Sequence, residues 1–314
     1  MDQRRIFAFL ADRIAAGQRC ALVTVLAVEG SAMRNPGTHM AVCEDGSFVG
    51  SLSGGCIENA VVAEACEALA DGRGRIVRFG AGSPYLDIRL PCGGGLDIHF
   101  QPLADGALPG ACLAAIAARQ PYTVAIGPLG VRCMAGWHPT PLDPAGGTAS
   151  FGHFPPAQLV LIGHGEALCA LARLARTLEL DVTVLTPDER ALDQLQRLAV
   201  PVTHLTRATD TTPLHSDPWT AIAFLFHDHD WEVALMRRAL ELPHFYVGAM
   251  GGRRAHAARC EALRTAGAPP SAIASLHAPI GLFHSSRDPE TLALSALAEI
   301  VRAYQDSNFG AGLG

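Results

Sequence analysis

"LVLIGHGEALCALARLARTLELDVTVLT", Leu159 to Thr186, decides the fold of the second half of this chain. An apolar run of strand length stops at Gly163-His164-Gly165, a segment with helical spacing follows, and a second β-rich run begins at Asp181. Strand, glycine turn, helix and strand in that order is the opening of a parallel α/β sheet. The same grammar continues through "DERALDQLQRLA", "PVTHL", "AIAFLF" and "DWEVALMRRALEL". It then passes through "HFYVGAMGGRRAHAARCEALRTAG" and the loop "LHAPIGLFHSSRD" to a closing helix, "PETLALSALAEIVRAYQ".

Upstream the pattern differs. A first helix precedes "ALVTVLAVEG", a hairpin is expected in "HMAVCEDGSFVGSL" with its turn at Glu44, Asp45 and Gly46, and "CIENAVVAEACEALADG" has helical spacing up to Gly72. "RIVRFG" and "LDIHFQPL" supply further strands. The fold class expected is α/β, with an N-terminal α+β domain over 1–135, a Pro/Gly-rich linker or hairpin region over 136–157, a Rossmann-like parallel-sheet domain over 158–305 and a flexible tail over 306–314.

With 314 residues, 49% hydrophobic and 17% charged, the chain can bury a core in each of two domains. A net charge of −6 gives no general attraction for nucleic acid or anionic lipid. The N-terminal segment is interrupted by Asp12 and Arg13 at helical spacing, which fits neither a signal peptide nor a membrane span. Nine cysteines, an odd number in scattered apolar contexts and without a CxxC pair, argue against a disulfide framework or zinc ribbon and for a reducing, cytoplasmic compartment.

Five short stretches carry the chemistry. The Gly163–Gly165 turn matches the first two glycines of a dinucleotide fingerprint, but the third position is Leu168, and Thr186-Pro187-Asp188 stands where an acidic residue would meet a ribose. A nucleotide or NAD(P) at this turn is one reading; a scaffold with a tight turn is the other. "HDHDWE" follows an apolar strand, so His227, Asp228 and His229 could hold a divalent metal, or Asp230 could simply cap a helix. In "GAMGGRR", Gly251 and Gly252 precede Arg253 and Arg254 at a helix start, where cations oppose the helix dipole unless they share an anion.

In the first domain, "EGSAMRNPG" presents Arg34, "GSLSGGC" presents Cys56 behind Ser53, Gly54 and Gly55, and "LPCGGGLDI" presents Cys92 ahead of Gly93. Glycine turns form anion-binding nests, and a thiol at a helix start is activated. The other seven cysteines read as core residues.

These stretches together resemble the xanthine dehydrogenase accessory family, XdhC/CoxI, over about residues 20–303. The resemblance implies a maturation factor rather than a catalyst. Such a protein binds molybdenum cofactor, as molybdopterin or its cytosine dinucleotide, protects it and supports its sulfuration with a cysteine desulfurase. It then delivers the cofactor to a molybdenum hydroxylase apoenzyme of the xanthine dehydrogenase type. By the family's motifs, Ser53, Gly54, Gly55 and Cys56 form one cysteine turn, Pro91, Cys92, Gly93 and Gly94 a second, Gly251 to Arg254 an arginine turn, and His227 to His229 a histidine–aspartate turn. Cys56 and Cys92 are then expected at the molybdenum–dithiolene end or at a sulfur in transit, and Arg34, Arg253 and Arg254 at the phosphate end. The family's GAGHVG-like turn departs here at Leu168 and its acidic pair is reduced to Asp188, which weakens a conventional NAD grip. The competing reading is an NAD(P)-dependent oxidoreductase on the Rossmann domain; a homodimer is the expected assembly.

Overall fold

The computed structural model describes residues 2–30, 34–55, 57–83, 93–143, 145–226, 230–283 and 288–312. Contacts divide the chain into a first unit ending at Pro155 and a second running from Pro156 to Gly312.

The first unit starts with helix α1 (Asp2–Ala15) and strand β1 (Cys20–Glu29). The expected hairpin is present as β2 (His39–Cys43) and β3 (Phe48–Val49), with Gly46 in the turn at a φ of 80°. After α2 (Glu58–Asp71) come β4 (Arg75–Gly80) and β5 (Gly95–Pro102), which complete an antiparallel five-stranded sheet in the order β3-β2-β1-β5-β4. Its central strand is apolar on both sides because both faces are covered. Ala21, Val23 and Val25 meet Val61, Ala65 and Leu69 of α2. Cys20 and Leu22 turn the other way, toward Ile6, Phe7 and Leu10 of α1 and toward Cys112 of α3 (Ala107–Ala117).

A second sheet of four strands, ordered β7-β6-β9-β8, comprises β6 (Tyr122–Gly127), β7 (Gly130–Ala135), β8 (Thr140–Asp143) and β9 (Thr148–His153). Residues 136–157, expected as a linker, thus carry two strands. Their Pro and Gly content suggests a loop, yet β8 is a short edge strand, and Gly152 lies inside β9 because a side chain there would overlap the Trp137 indole.

In the second unit β10 (Gln158–Gly163), α4 (Gly165–Thr177), β11 (Asp181–Thr186), α5 (Glu189–Arg197), β12 (Val202–His204), β13 (Thr220–Leu225), α6 (Glu232–Glu241) and β14 (Tyr246–Ala249) follow the expected alternation. The five strands are parallel and ordered β12-β11-β10-β13-β14. Leu159, Leu161, Val184 and Ala223 face α4 and α9 (Pro289–Asp306), whereas Val160, Ile162, Ile222 and Phe224 face α6 and α7 (Arg253–Thr265). The strand order reverses between β10 and β13, so the crevice beyond their carboxyl ends is where such sheets place ligands. Gly163 is required there: a Cβ would sit 2.5 Å from the carbonyl oxygen of Leu225.

The expected tail is partly ordered, since Phe309–Gly312 form a 3-10 turn in which Phe309 packs on Trp219, Phe245 and Tyr304. Among the described residues no helix is long and apolar enough to cross a membrane.

Candidate functional site

The turn that leads to Cys56 is organised around one carboxylate. Oε1 of Glu58 accepts hydrogen bonds from Ser51 Oγ (2.7 Å), Leu52 N (3.1 Å) and Ser53 N (2.9 Å). Its Oε2 accepts from Ser53 Oγ (2.7 Å) and Ile57 N (3.2 Å). Ser51 Oγ in turn accepts from Gly54 N at 2.9 Å. Burial alone would raise the pKa of this carboxyl, but the hydrogen bonds from Ser51 and Ser53 outweigh it and hold the group down at about 2. Gly54 and Gly55 both have positive φ, 80° and 115°, and a Cβ on Gly55 would meet nothing within 4 Å. The turn is therefore fixed from inside by Glu58 and open on the outside at Gly55.

The third glycine turn of this unit is anchored on the same core. Gly30, at a φ of 76°, lies against Gly94, with a Cβ on Gly30 reaching to 3.3 Å from the Gly94 Cα. Val28 pairs with Leu96 across the ends of β1 and β5, and both pack in the cluster that buries Leu52 and Ile57. The structure thus brings Ser53, Gly54, Gly55 and Gly93 onto one patch of core. Gly93 has a φ of 69° and open space around its missing side chain. Arg34 is placed elsewhere: it lines a cleft with Gln3 and Ile6 of α1, on the other face of the sheet. Cys56, Cys92, His227, Asp228 and His229 lie outside the described residues. Among the described residues no group of His, Cys, Asp and Glu side chains has the makings of a metal site.

In the second unit the glycine turn is occupied by the chain's own acid. Asp188 caps α5, its Oδ1 accepting from Arg190 N at 2.9 Å and Ala191 N at 3.3 Å. Its Oδ2 accepts from Gly165 N at 3.1 Å, the N–H at the start of α4 on which a pyrophosphate would rest. Burial pushes the Asp188 pKa up, and the backbone N–H groups of Gly165, Ala191 and Arg190 more than reverse that.

The arginine turn behaves differently from its sequence reading. Gly252 is the extended residue before α7, Gly251 has a φ of 128°, and Arg253 and Arg254 are exposed on the first turn of the helix. Two turns further on, Arg259 is buried. It donates from Nε and Nη2 to the two oxygens of Glu232 at 3.0 and 2.9 Å, and from Nη2 to the Met250 carbonyl at 2.8 Å. Glu232 is the first residue of α6, whose N-cap is Trp231 without a side-chain cap, so the cap expected from Asp230 is not the one observed. This pair ties the segment after β13 to the glycine turn after β14.

Sequence reasoning missed Glu58, Glu232 and Arg259. A signal existed for the first, since two serines and two glycines just before a helix-start glutamate are what a carboxylate needs to collect N–H and O–H donors. Arg259 had only the helical spacing Ala255, Arg259, Leu263 to mark it as facing inward.

Comparison with known proteins follows the same division. Residues 13–80 match the XdhC and CoxI family, and residues 159–300 match the XdhC Rossmann domain. The molybdenum cofactor insertion chaperone PaoD of Escherichia coli K12 is 31% identical over 316 aligned residues, covering 98% of this chain and 91% of its own. The uncharacterized protein YqeB of the same organism is 25% identical over 93% of this chain, which spans 45% of that longer protein. A Bacillus halodurans crystal structure described as a xanthine dehydrogenase has the same fold, with a TM-score of 0.77, 19% identity and 99% of both chains covered. With both family segments present in order, on the two units described above, and a full-length relative above 30% identity, the chain belongs to the XdhC and CoxI family.

Proposed function

We propose that this protein is a molybdenum-cofactor maturation factor. It binds the cofactor as cargo, shields it, supports its sulfuration alongside a cysteine desulfurase in the cytoplasm, and hands it to a molybdenum hydroxylase of the xanthine dehydrogenase type. The observation that carries the reading is the 31% identity with a cofactor insertion chaperone along 98% of the chain.

The described residues suit such a cargo. The Ser51–Gly55 turn is held rigid by Glu58, with Gly55 open, so a thiol at Cys56 would be presented from a fixed frame rather than a mobile loop. Cys92 precedes Gly93, whose surroundings are equally open. In this reading the two thiols face the sulfur- and molybdenum-bearing end of the cargo, and Arg253 and Arg254, exposed at the start of α7, take its phosphate or pyrophosphate. His227, Asp228 and His229 stand at the carboxyl end of β13, where they could contact the metal end of the cargo. The Asp188 carboxylate on Gly165 N weighs against the NAD(P) oxidoreductase reading, because it puts negative charge where a dinucleotide would put its own.

The test is incubation of the purified protein with isolated molybdenum cofactor in its nucleotide-free and cytosine dinucleotide forms. Gel filtration and measurement of molybdenum and pterin per chain follow. Near-stoichiometric retention, reduced by Cys56→Ala or Cys92→Ala, is the expected result. A chain that retains neither form is not a cofactor carrier.

A further inference from the structure

A cleft of about 400 Å³ in the first unit contains Arg34 but none of the cysteine turns. Its walls are aromatic and are set by glycines. Phe151 lies on Gly37, where a Cβ would come within 3.0 Å of the ring, and the Trp137 indole lies on Gly152 and stacks on Phe154 with ring centroids 5.5 Å apart. The floor is a buried chain of polar groups. Tyr122 donates to Gln3 Oε1 at 2.8 Å, Gln3 Nε2 meets His153 Nδ1 at 2.6 Å, and His153 Nε2 meets His39 Nε2 at 3.0 Å. His39 Nδ1 then meets Thr24 Oγ1 at 2.9 Å.

Only one proton arrangement satisfies this chain. Because Gln3 Nε2 is a donor, His153 Nδ1 accepts, so the His153 proton is on Nε2. His39 must then accept at Nε2 and donate from Nδ1 to Thr24. Both imidazoles are neutral, which agrees with burial pushing His153 down to about 4 and His39 well below its ordinary range. Gln3 uses one N–H and one lone pair in the chain and keeps one of each. Among the described lining residues there is no carboxylate, and Arg34 is the one permanent cation.

We infer that this cleft is the subsite for a flat, uncharged lactam heterocycle carrying an anionic group, which for the cargo proposed above is the pterin ring. The inference rests on that cofactor-carrier reading. Trp137 and Phe151 supply π faces, the spare donor and acceptor of Gln3 match a lactam edge, the neutral histidines keep the floor uncharged, and Arg34 balances the anion. The cysteine turns sit on the opposite face of the sheet from this floor, so pterin and metal ends of one cargo would be gripped separately.

The test uses the full chain and three probes: isolated molybdenum cofactor, 6-carboxypterin and guanosine monophosphate. Wild type is compared with Pro36→Trp, which fills the cleft from an exposed position, and with Gln3→Leu, each checked for an unchanged circular dichroism spectrum. The expected result is 6-carboxypterin binding that quenches tryptophan fluorescence, with Kd raised at least tenfold by Pro36→Trp and at least fivefold by Gln3→Leu, and parallel loss of retained cofactor. Cofactor retained equally by wild type and Pro36→Trp overturns the cleft and leaves the carrier reading standing. If wild type retains no cofactor, the carrier reading fails, and 6-carboxypterin binding sensitive to Pro36→Trp alone sustains a heterocycle site. Absence of pterin binding, or tighter binding of guanosine monophosphate, overturns the pterin assignment.

Discussion

Arg259 and Glu232, each almost fully buried, meet as a two-point ion pair that links the start of α6 to the middle of α7. Charges this deep are retained only when their hydrogen bonds are nearly complete, and Arg259 spends one of its N–H groups on the Met250 carbonyl just before the Gly251–Gly252 turn. Removing one partner strands the other. Glu232→Gln or Arg259→Met is expected to lower unfolding stability by about 3–5 kcal/mol, whereas the double replacement Glu232→Leu/Arg259→Met recovers much of the loss. Urea denaturation of the four proteins checks this; independent, additive losses would show that the pair is not a unit.

Glu58 gives a second test. Its two oxygens collect five hydrogen bonds from the turn before α2, so Glu58→Ala leaves the N–H groups of Leu52, Ser53 and Ile57 without an acceptor. A loss of about 2–3 kcal/mol in stability is expected, together with faster alkylation of Cys56 as the turn loosens. Thiol labelling followed by peptide mass spectrometry measures the second effect. Unchanged labelling would mean that the turn is held by something other than Glu58.

Much of this architecture is legible in the sequence, for physical reasons. The second unit announces itself because each strand is apolar throughout and ends in a glycine or a helix-capping acid, and Gly163 is readable because backbone crowding leaves no room for a side chain. What stays hidden depends on partners far apart in the chain. His39 and His153 are separated by 114 positions, and Arg259 reads as one more solvated cation until Glu232 is placed beside it. The stretch 136–157 is misread for a different reason: its glycines and prolines serve aromatic packing in a small sheet, not flexibility.

The neutral histidine chain predicts a pH dependence whose sign can be worked out. Burial depresses the folded-state pKa of His153 to about 4 and that of His39 well below 6.5, so between those values the unfolded chain binds more protons than the native one. Stability from this source is complete above pH ~6.5 and is lost as pH falls toward ~4. Glu58 adds a separate, lower window, from its ordinary 4.5 down to about 2. Thermal midpoints should therefore decline from pH 6.5 to 4.5, before Glu58 contributes, and the decline should be shallower in His153→Gln. A midpoint flat across that interval would mean that the imidazoles are not held neutral.

The carboxylate on the glycine turn of the second unit yields the last prediction. Asp188 Oδ2 lies 3.1 Å from Gly165 N, so a phosphate group arriving at that N–H must displace it or sit beside a like charge. Two unit charges at ~4 Å near a protein surface repel by up to about 4 kcal/mol, and by less where water reaches them, as it does at this partly exposed residue. Wild type is accordingly expected to bind NADH only weakly. Asp188→Asn keeps an oxygen for the cap of α5 while removing the charge, and NADH affinity should rise at least tenfold with little change in stability. Fluorescence titration of both proteins decides the matter. Tight NADH binding by wild type would restore the nicotinamide reading, and an unchanged, weak affinity in Asp188→Asn would show that the missing third glycine at Leu168, rather than the charge, closes this site.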